Sequence, residues 1–232
     1  MIVTPVVLLR SAAVAAVAAG LIFIGVQINH PHADVTAVAT TEWAVRNSFK
    51  ALMAALALAG ITGMYQHQVK RLGLLGLLGY LLFGVGYLTI MNVALVSAYV
   101  LPSIAGTDPG YVQGVLTAGT GGKATSDIGL MQSVLDLSGI TYLAGGLIFG
   151  IALYRARVLA RWAAALLAVA SVFTVTLSVL PDAFYRFLAF PNAIAMIGLG
   201  YSLWLTTRTE TKAGTRLPTV GDTPSLTAGN AQ

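Results

Sequence analysis

The sequence contains no cysteine, which excludes disulfides, thiolate metal sites and thiol catalysis. Charge is scarce as well. Asp, Glu, Lys and Arg make up 9 % of the 232 residues, against roughly 25 % in an ordinary soluble domain. There is no HExxH, no GxSxG and no Gly-rich phosphate loop, and no serine has a histidine nearby that would activate it. The formal charge of +5 is no nucleic-acid signature, because the basic residues flank apolar runs and form no stripe of their own.

What fills the chain is apolar surface, 57 % of all residues. The run from Leu72 to Leu101 holds thirty residues without one charge, where about 20 already cross the hydrocarbon core of a bilayer. Six such segments fit: about Ser11–Ile28, Phe49–Tyr65, Gly73–Val100, Gly139–Tyr154, Trp162–Leu180 and Ala183–Thr206. The first reads as a retained helix and not a secretory signal, because Pro31 sits two residues before the only cut one would consider, after Ala33. The expected fold is all-α, a polytopic transmembrane bundle of six helices over residues 11–208. A short N-terminus, residues 1–10, precedes it, and a disordered tail, residues 209–232, follows it.

Positive charge predicts the orientation. With the N-terminus inside, Arg10, Lys70, Arg71, Arg155, Arg157, Arg161, Arg208, Lys212 and Arg216 all fall on the cytoplasmic side, nine of the thirteen basic residues. Arg46, Lys50, Lys123 and Arg186 stay outside. Both termini are then cytoplasmic. Asp34, Glu42, Asp108, Asp127, Asp136 and Asp182 gather on the outer face. The inner loops are tight turns. The long outer loop after the third segment carries the turn residues Gly106–Gly110 and Gly119–Gly122, with short interfacial helices expected at Tyr111–Ala118 and Ser126–Leu137.

Candidate residues follow from cost. The third segment sets Gly73, Gly76, Gly79, Gly84 and Gly86 on one broad face, with Asn92 on the opposite side, so this helix is expected to be central in the bundle, with Asn92 either a buried amide or a side chain that only hydrogen-bonds a neighbouring backbone. In the fourth, Gly146 and Gly150 form a GxxxG packing pair, and Asp136 lies on the same side. If its carboxylate points into a helix contact, Asp136 is a candidate proton-carrying or cation-binding acid, with Arg46, Lys50 or Arg186 available to meet it. The alternative is a solvated helix cap. Glu42 is a second candidate general acid. Gln27 and Asn29, Asn92, Thr174, Thr176 and Ser178, and Asn192 after Pro191 suggest a polar pocket opening outward. His30 and His32, with Asp34 behind them, could hold copper or zinc only with a third ligand; a polar turn leaving the membrane is the simpler reading. No cofactor is expected.

Tyr65–Arg71 and Tyr154–Arg161 each close one helix and open the next, either as a duplicated hairpin or because cytoplasmic turns need interfacial Tyr and basic anchors. The Ala-rich first helix and the run Gly145-Gly-Leu-Ile-Phe-Gly-Ile-Ala-Leu-Tyr-Arg-Ala-Arg-Val-Leu-Ala-Arg-Trp162 resemble uncharacterised six-helix membrane proteins of high-GC Gram-positive bacteria. The resemblance implies a bacterial plasma-membrane bundle and brings no activity with it. Three classes remain open. The first is a non-enzymatic bundle binding itself, a membrane partner or a hydrophobic ligand. A small transporter using Asp136 or Asn92 comes second, and an intramembrane lipid or isoprenoid enzyme with Asp136 or Glu42 as general acid third.

Overall fold

The computed structural model describes residues 4–28, 33–176 and 189–214. Every regular element among them is helical. Helix α1 spans Pro5–Gln27, α2 Val35–Val38, α3 Thr41–His67 and α4 Val69–Leu95. A π-helical turn, Val96–Val100, leads into α5, Leu101–Ile104. Helix α6 follows at Pro109–Gly119, α7 at Met131–Ala156, α8 at Arg161–Thr176 and α9 at Ala189–Gly214. Four stretches are long and apolar enough to cross a bilayer: Pro5–Gln27, Thr41–His67, Val69–Ile104 and Met131–Ala156; the apolar Arg161–Phe173 is shorter. The chain is an all-α, multi-pass membrane protein.

Helix boundaries depart from the apolar segments where polar residues carry the helix further. Thr4 accepts from the Val7 amide, and Pro5 needs no N–H at the first position, so α1 starts before Arg10. Thr40 likewise caps α3 through the Trp43 amide, which places Glu42 and Arg46 inside the helix. Ser126–Leu130 is loop, and the helix expected there begins at Met131 and runs unbroken into the fourth apolar segment. Helix α9 passes Arg208 and reaches Gly214, while residues 215–232 lie outside the described residues.

The long helices pack as a closed ring in the order α1, α3, α4, α7, α8, α9 and back to α1. Glycine and alanine set the contacts, and the contacts show each neighbouring pair to be antiparallel. Gly20 meets Ala193 of α9 while Gly200 meets Ala13 of α1. Gly60 and Gly63 of α3 meet Ala16 and Ala12 in turn; Gly146 and Gly150 of α7 meet Ser171 and Ala168 of α8. Without Cβ atoms in the way, backbones approach to the distance at which dispersion and weak polar contacts hold helices together in lipid.

Between α4 and α7 the fit is reciprocal. A Cβ on Gly79 would stand 2.5 Å from the Phe149 amide nitrogen, and one on Gly86 would stand 2.8 Å from the same atom of Tyr142. In between, Gly145 faces the Phe83 backbone from the other helix. Each aromatic residue that leans over a glycine also stacks with its neighbours: Phe83 lies 4.7 Å from Tyr87, 5.2 Å from Tyr142 and 6.4 Å from Phe149 between ring centroids. Tyr87 and Tyr142 meet edge to face at 5.5 Å, an arrangement that aromatic quadrupoles favour.

A single apolar cluster fills the ring. Ala16, Ile61, Phe83, Phe149, Leu167 and Leu199 are among its buried members, one from each long helix. A second, smaller cluster sits at one end: Val38, Trp43, Leu101, Val112, Leu116 and Ile128 join α2, the start of α3, α5, α6 and the loop before α7 into a folded cap. The long loop therefore has a core of its own.

Helix α4 is not the centre of the bundle. Among the described residues its main long-helix neighbours are α3 and α7, and Leu74, Leu77, Leu78, Leu81, Val85 and Leu88 face outward. Gly73 belongs to the turn and not to the glycine face: with φ 58° and ψ −158° it breaks the helix after Leu72, a conformation essentially reserved for glycine.

Candidate functional site

Among the described residues, the polar groups expected to form an outward pocket, Gln27, Asn92, Asp136 and Asn192, are not seen to come together. Asn92 is exposed and donates from Nδ2 to the Leu88 carbonyl one turn back, 3.2 Å away. It is no buried amide: the glycine face of α4 is covered and the Asn92 face is not. Asn192 is buried in α9, a helix that α4 does not pack against. Pro191 precedes it in the first described turn of α9. Gln27 ends α1, half-buried. Asn29, His30, His32, Ser178, Asp182 and Arg186 lie outside the described residues, as do the side chains of Thr174 and Thr176.

Asp136 is closer to the solvated alternative than to the buried helix contact. It stands exposed in the second turn of α7, and Gln132 Nε2 donates to its Oδ1 at 3.0 Å. Gly146 and Gly150 are turned toward α8, and the Asp136 carboxylate is exposed to the surface. Gly139, about one turn after Asp136, has open space around it.

The other acids at this end each hold a local structure. Asp34 Oδ1 caps α2, accepting from the Ala37 amide at 2.7 Å and the Thr36 hydroxyl at 2.6 Å. Asp108 caps α6 through the Tyr111 amide at 2.9 Å. Asp127 accepts from the Gly129 amide at 2.8 Å, closing a turn in which Gly129 has φ 57°. Glu42 is exposed and pairs with Arg46 one turn on at 2.8 Å. These carboxylates are caps and turn-formers. Among the described residues, no three of His, Cys, Asp and Glu come together as metal ligands.

Two residues do more: Arg46, considered in the sequence only as a counter-ion for Asp136, and Trp43, which the sequence does not single out. Arg46 reaches from α3 to the end of α1, where its Nη1 donates to the Ile28 carbonyl at 2.8 Å and to the Val26 carbonyl at 3.4 Å. A cation is thus set against the negative end of the α1 dipole and onto carbonyls that have no intrahelical donor. Trp43 is buried, and its Nε1 donates to the Ser97 carbonyl at 3.0 Å. The reason lies in the π-turn. There the Leu101 amide donates to Val96, five residues back, so in the same register Ser97 would need an N–H from residue 102. Residue 102 is proline, which has none. The indole supplies the missing donor and ties the cap to the bundle.

The opposite end of the bundle is basic. Arg10 near the start of α1 lies 5.7 Å from the Trp204 ring of α9, so these two helix ends meet there. Lys70 and Arg71 follow the α3–α4 turn, and Arg155, Arg157 and Arg161 surround the α7–α8 turn. The two turns are tied differently. Tyr65 stacks on Tyr80 at 4.7 Å, whereas Tyr154 carries the Arg161 guanidinium at 4.2 Å. At this end a shallow groove of about 480 Å³ opens between α1, α3 and α9, lined by Arg10, Ser11, Val14, Ala18, Leu56 and Trp204 among others.

No protein-family model, curated protein or solved structure matches this chain.

Proposed function

We propose that the chain is a six-pass protein of the bacterial plasma membrane, with both termini in the cytoplasm. It works without chemistry of its own, by holding a hydrophobic molecule or a membrane partner against its flank. One observation carries this reading: among the described residues a single apolar cluster, to which every long helix contributes, fills the interior, and the buried polar side chains keep to its two ends, Asn47, Ser138, Thr141, Ser171 and Asn192 toward one and Gln68 and Thr207 toward the other, so no polar path is seen between them. A transporter needs such a path, lined by groups that can replace water around its cargo. An enzyme needs reactive groups that converge, and the acids described above are dispersed into caps, a turn and a surface ion pair.

The six-pass reading draws on the antiparallel ring, in which α8 and α9 pair through small residues as the longer helices do: Gly198 of α9 lies against Trp162 and Ala163 of α8. The cytoplasmic assignment of the Arg10 end follows the positive-inside rule.

Vesicles reconstituted with the protein and loaded with a pH-sensitive dye test the functional part. An imposed proton gradient should decay no faster than in protein-free vesicles, and Asp136→Asn and Asn92→Ala should behave alike. A leak that needs the protein and disappears in Asp136→Asn would overturn the reading in favour of a proton-coupled transporter.

A further inference from the structure

We propose that the outward stripe of α4 pairs with the same stripe of a second copy, as a parallel two-stranded coiled coil in which the two Asn92 amides meet across the two-fold axis. This rests on the reading of the protein's flank as its working surface, and names the partner on one side of it.

The stripe keeps a seven-residue repeat. Leu74, Leu78, Leu81, Val85, Leu88, Asn92 and Leu95 follow one another in steps of four, three, four, three, four and three residues, and all seven are exposed. From Leu78 to Leu95 no other residue is: the rest are buried or half-buried, with α3 and α7 packed on either side. An average step of 3.5 residues is the period of a left-handed coiled-coil seam. In that register Leu74, Leu81, Leu88 and Leu95 occupy the d positions, and Leu78, Val85 and Asn92 the a positions. Leucine at every d, with a β-branched residue and one asparagine at a, is the pattern that selects two parallel strands. The seam starts just past the break at Gly73 and ends where the π-turn changes the helical period. From Leu74 to Leu95 it is about 32 Å long at 1.5 Å per residue, against about 30 Å of hydrocarbon in a bilayer.

Its one polar group selects the occupant. Asn92 gives one Nδ2 hydrogen to the Leu88 carbonyl at 3.2 Å, and among the described residues neither the other hydrogen nor Oδ1 has a partner. Lipid tails offer none, so the amide gains from a helix that brings a donor and an acceptor to the same depth. An amide is both at once, so Asn92 complements itself. Copies inserted with one topology present α4 in the same direction and at the same depth. A two-fold axis along the membrane normal then sets Asn92 opposite Asn92. A slip of one heptad would set the amide against Val85 instead, which fixes the alignment. No charge lies on the seam to oppose a like copy.

The full-length protein, carrying a donor or an acceptor dye on Thr107→Cys, is reconstituted into phosphatidylcholine vesicles over a range of protein densities. Energy transfer should rise to a plateau. Asn92→Leu keeps the seam apolar and loses the amide pair, and should need about tenfold more protein per lipid to reach half of it, as expected for one set of interhelical hydrogen bonds. Asn92→Gln, which keeps an amide, should recover most of the association. Unlabelled single-cysteine chains test the geometry under a mild oxidant in the membrane. Leu81→Cys and Leu88→Cys, facing their own copies across the axis, should each give disulfide-linked dimers, and Val14→Cys, exposed on α1, should not. Absence of energy transfer at every density would overturn the proposal, as would equal association of Asn92→Leu, or crosslinking through Val14→Cys and not through the two leucine positions. The wider reading has its own test in the proton-gradient measurement, since a monomeric chain can still hold a different membrane protein or a hydrophobic molecule against its flank.

Discussion

At Gly79 and Gly145 one added methyl group would separate two helices. The neighbouring atoms are backbone, of Phe149 and Phe83, and backbone cannot swing aside as a side-chain tip can. Gly79→Ala and Gly145→Ala are each expected to lose about 1–3 kcal/mol. Gly139→Ala, on the same helix as Gly145 but with nothing within 4 Å, should be neutral or gain up to about 1 kcal/mol through helix propensity. Thermal unfolding of the three variants in one detergent decides the matter, and equal melting temperatures would mean that the α4–α7 seam is not close-packed. Trp43→Phe keeps the ring in the apolar cap but leaves the Ser97 carbonyl without its indole donor. A loss of about 1–3 kcal/mol, accompanied by faster amide exchange in α5 and α6, is the expected result; unchanged exchange there would detach the indole from any role in holding the cap. Residues of this kind are only half legible in a sequence. A face of glycines announces a packing surface without saying what covers it. The Trp43 contact spans 54 residues and exists because Pro102 falls two residues after a π-turn. Asn92 and Asp136 drew attention for being polar near apolar runs, yet the sequence does not say which helix face looks away from the bundle. Both are exposed and are met within one turn of their own helix.

Helix ends are where the elements of this protein are fixed to one another. Arg46 has two kinds of partner, and they should separate experimentally. Glu42→Gln removes a largely exposed ion pair and should cost under about 1 kcal/mol. Arg46→Met removes in addition the donor to the Ile28 and Val26 carbonyls, for an expected loss of about 1–3 kcal/mol. If urea or thermal titrations give equal losses for the two variants, the α1 cap contributes nothing. At the other end of the bundle Gly73 turns the chain from α3 into α4 with a backbone that other residues resist, so Gly73→Ala should lose about 1–3 kcal/mol despite the open space around it. Apolar length predicted where helices would be found; it could not show how far Thr4, Thr40 and the polar turn before Gly139 extend them. Nor could it show that the loop after α5 closes over Leu101, Val112 and Leu116 as a second core, since those few apolar residues stand among turn-formers and have no long period.

Taken whole, the molecule is a ring of antiparallel helices filled with apolar side chains, acidic at the capped end and basic at the other. That charge division was readable from the order of residues alone, because it depends only on which turns carry Lys and Arg. The ring closure was not. It rests on Gly20, Gly200, Ala13 and Ala193, which lie nearly the length of the chain apart. The absence of native cysteine allows the central claim, six crossings with both ends inside, to be tested directly by labelling single-cysteine variants in intact cells with a membrane-impermeant maleimide. Thr107→Cys and Asp127→Cys should be labelled from outside. Lys70→Cys, Arg157→Cys and Arg208→Cys should react only after the membrane is opened. Labelling of Arg208→Cys in sealed cells would contradict the account, because α9 would then end on the far side from the start of α1.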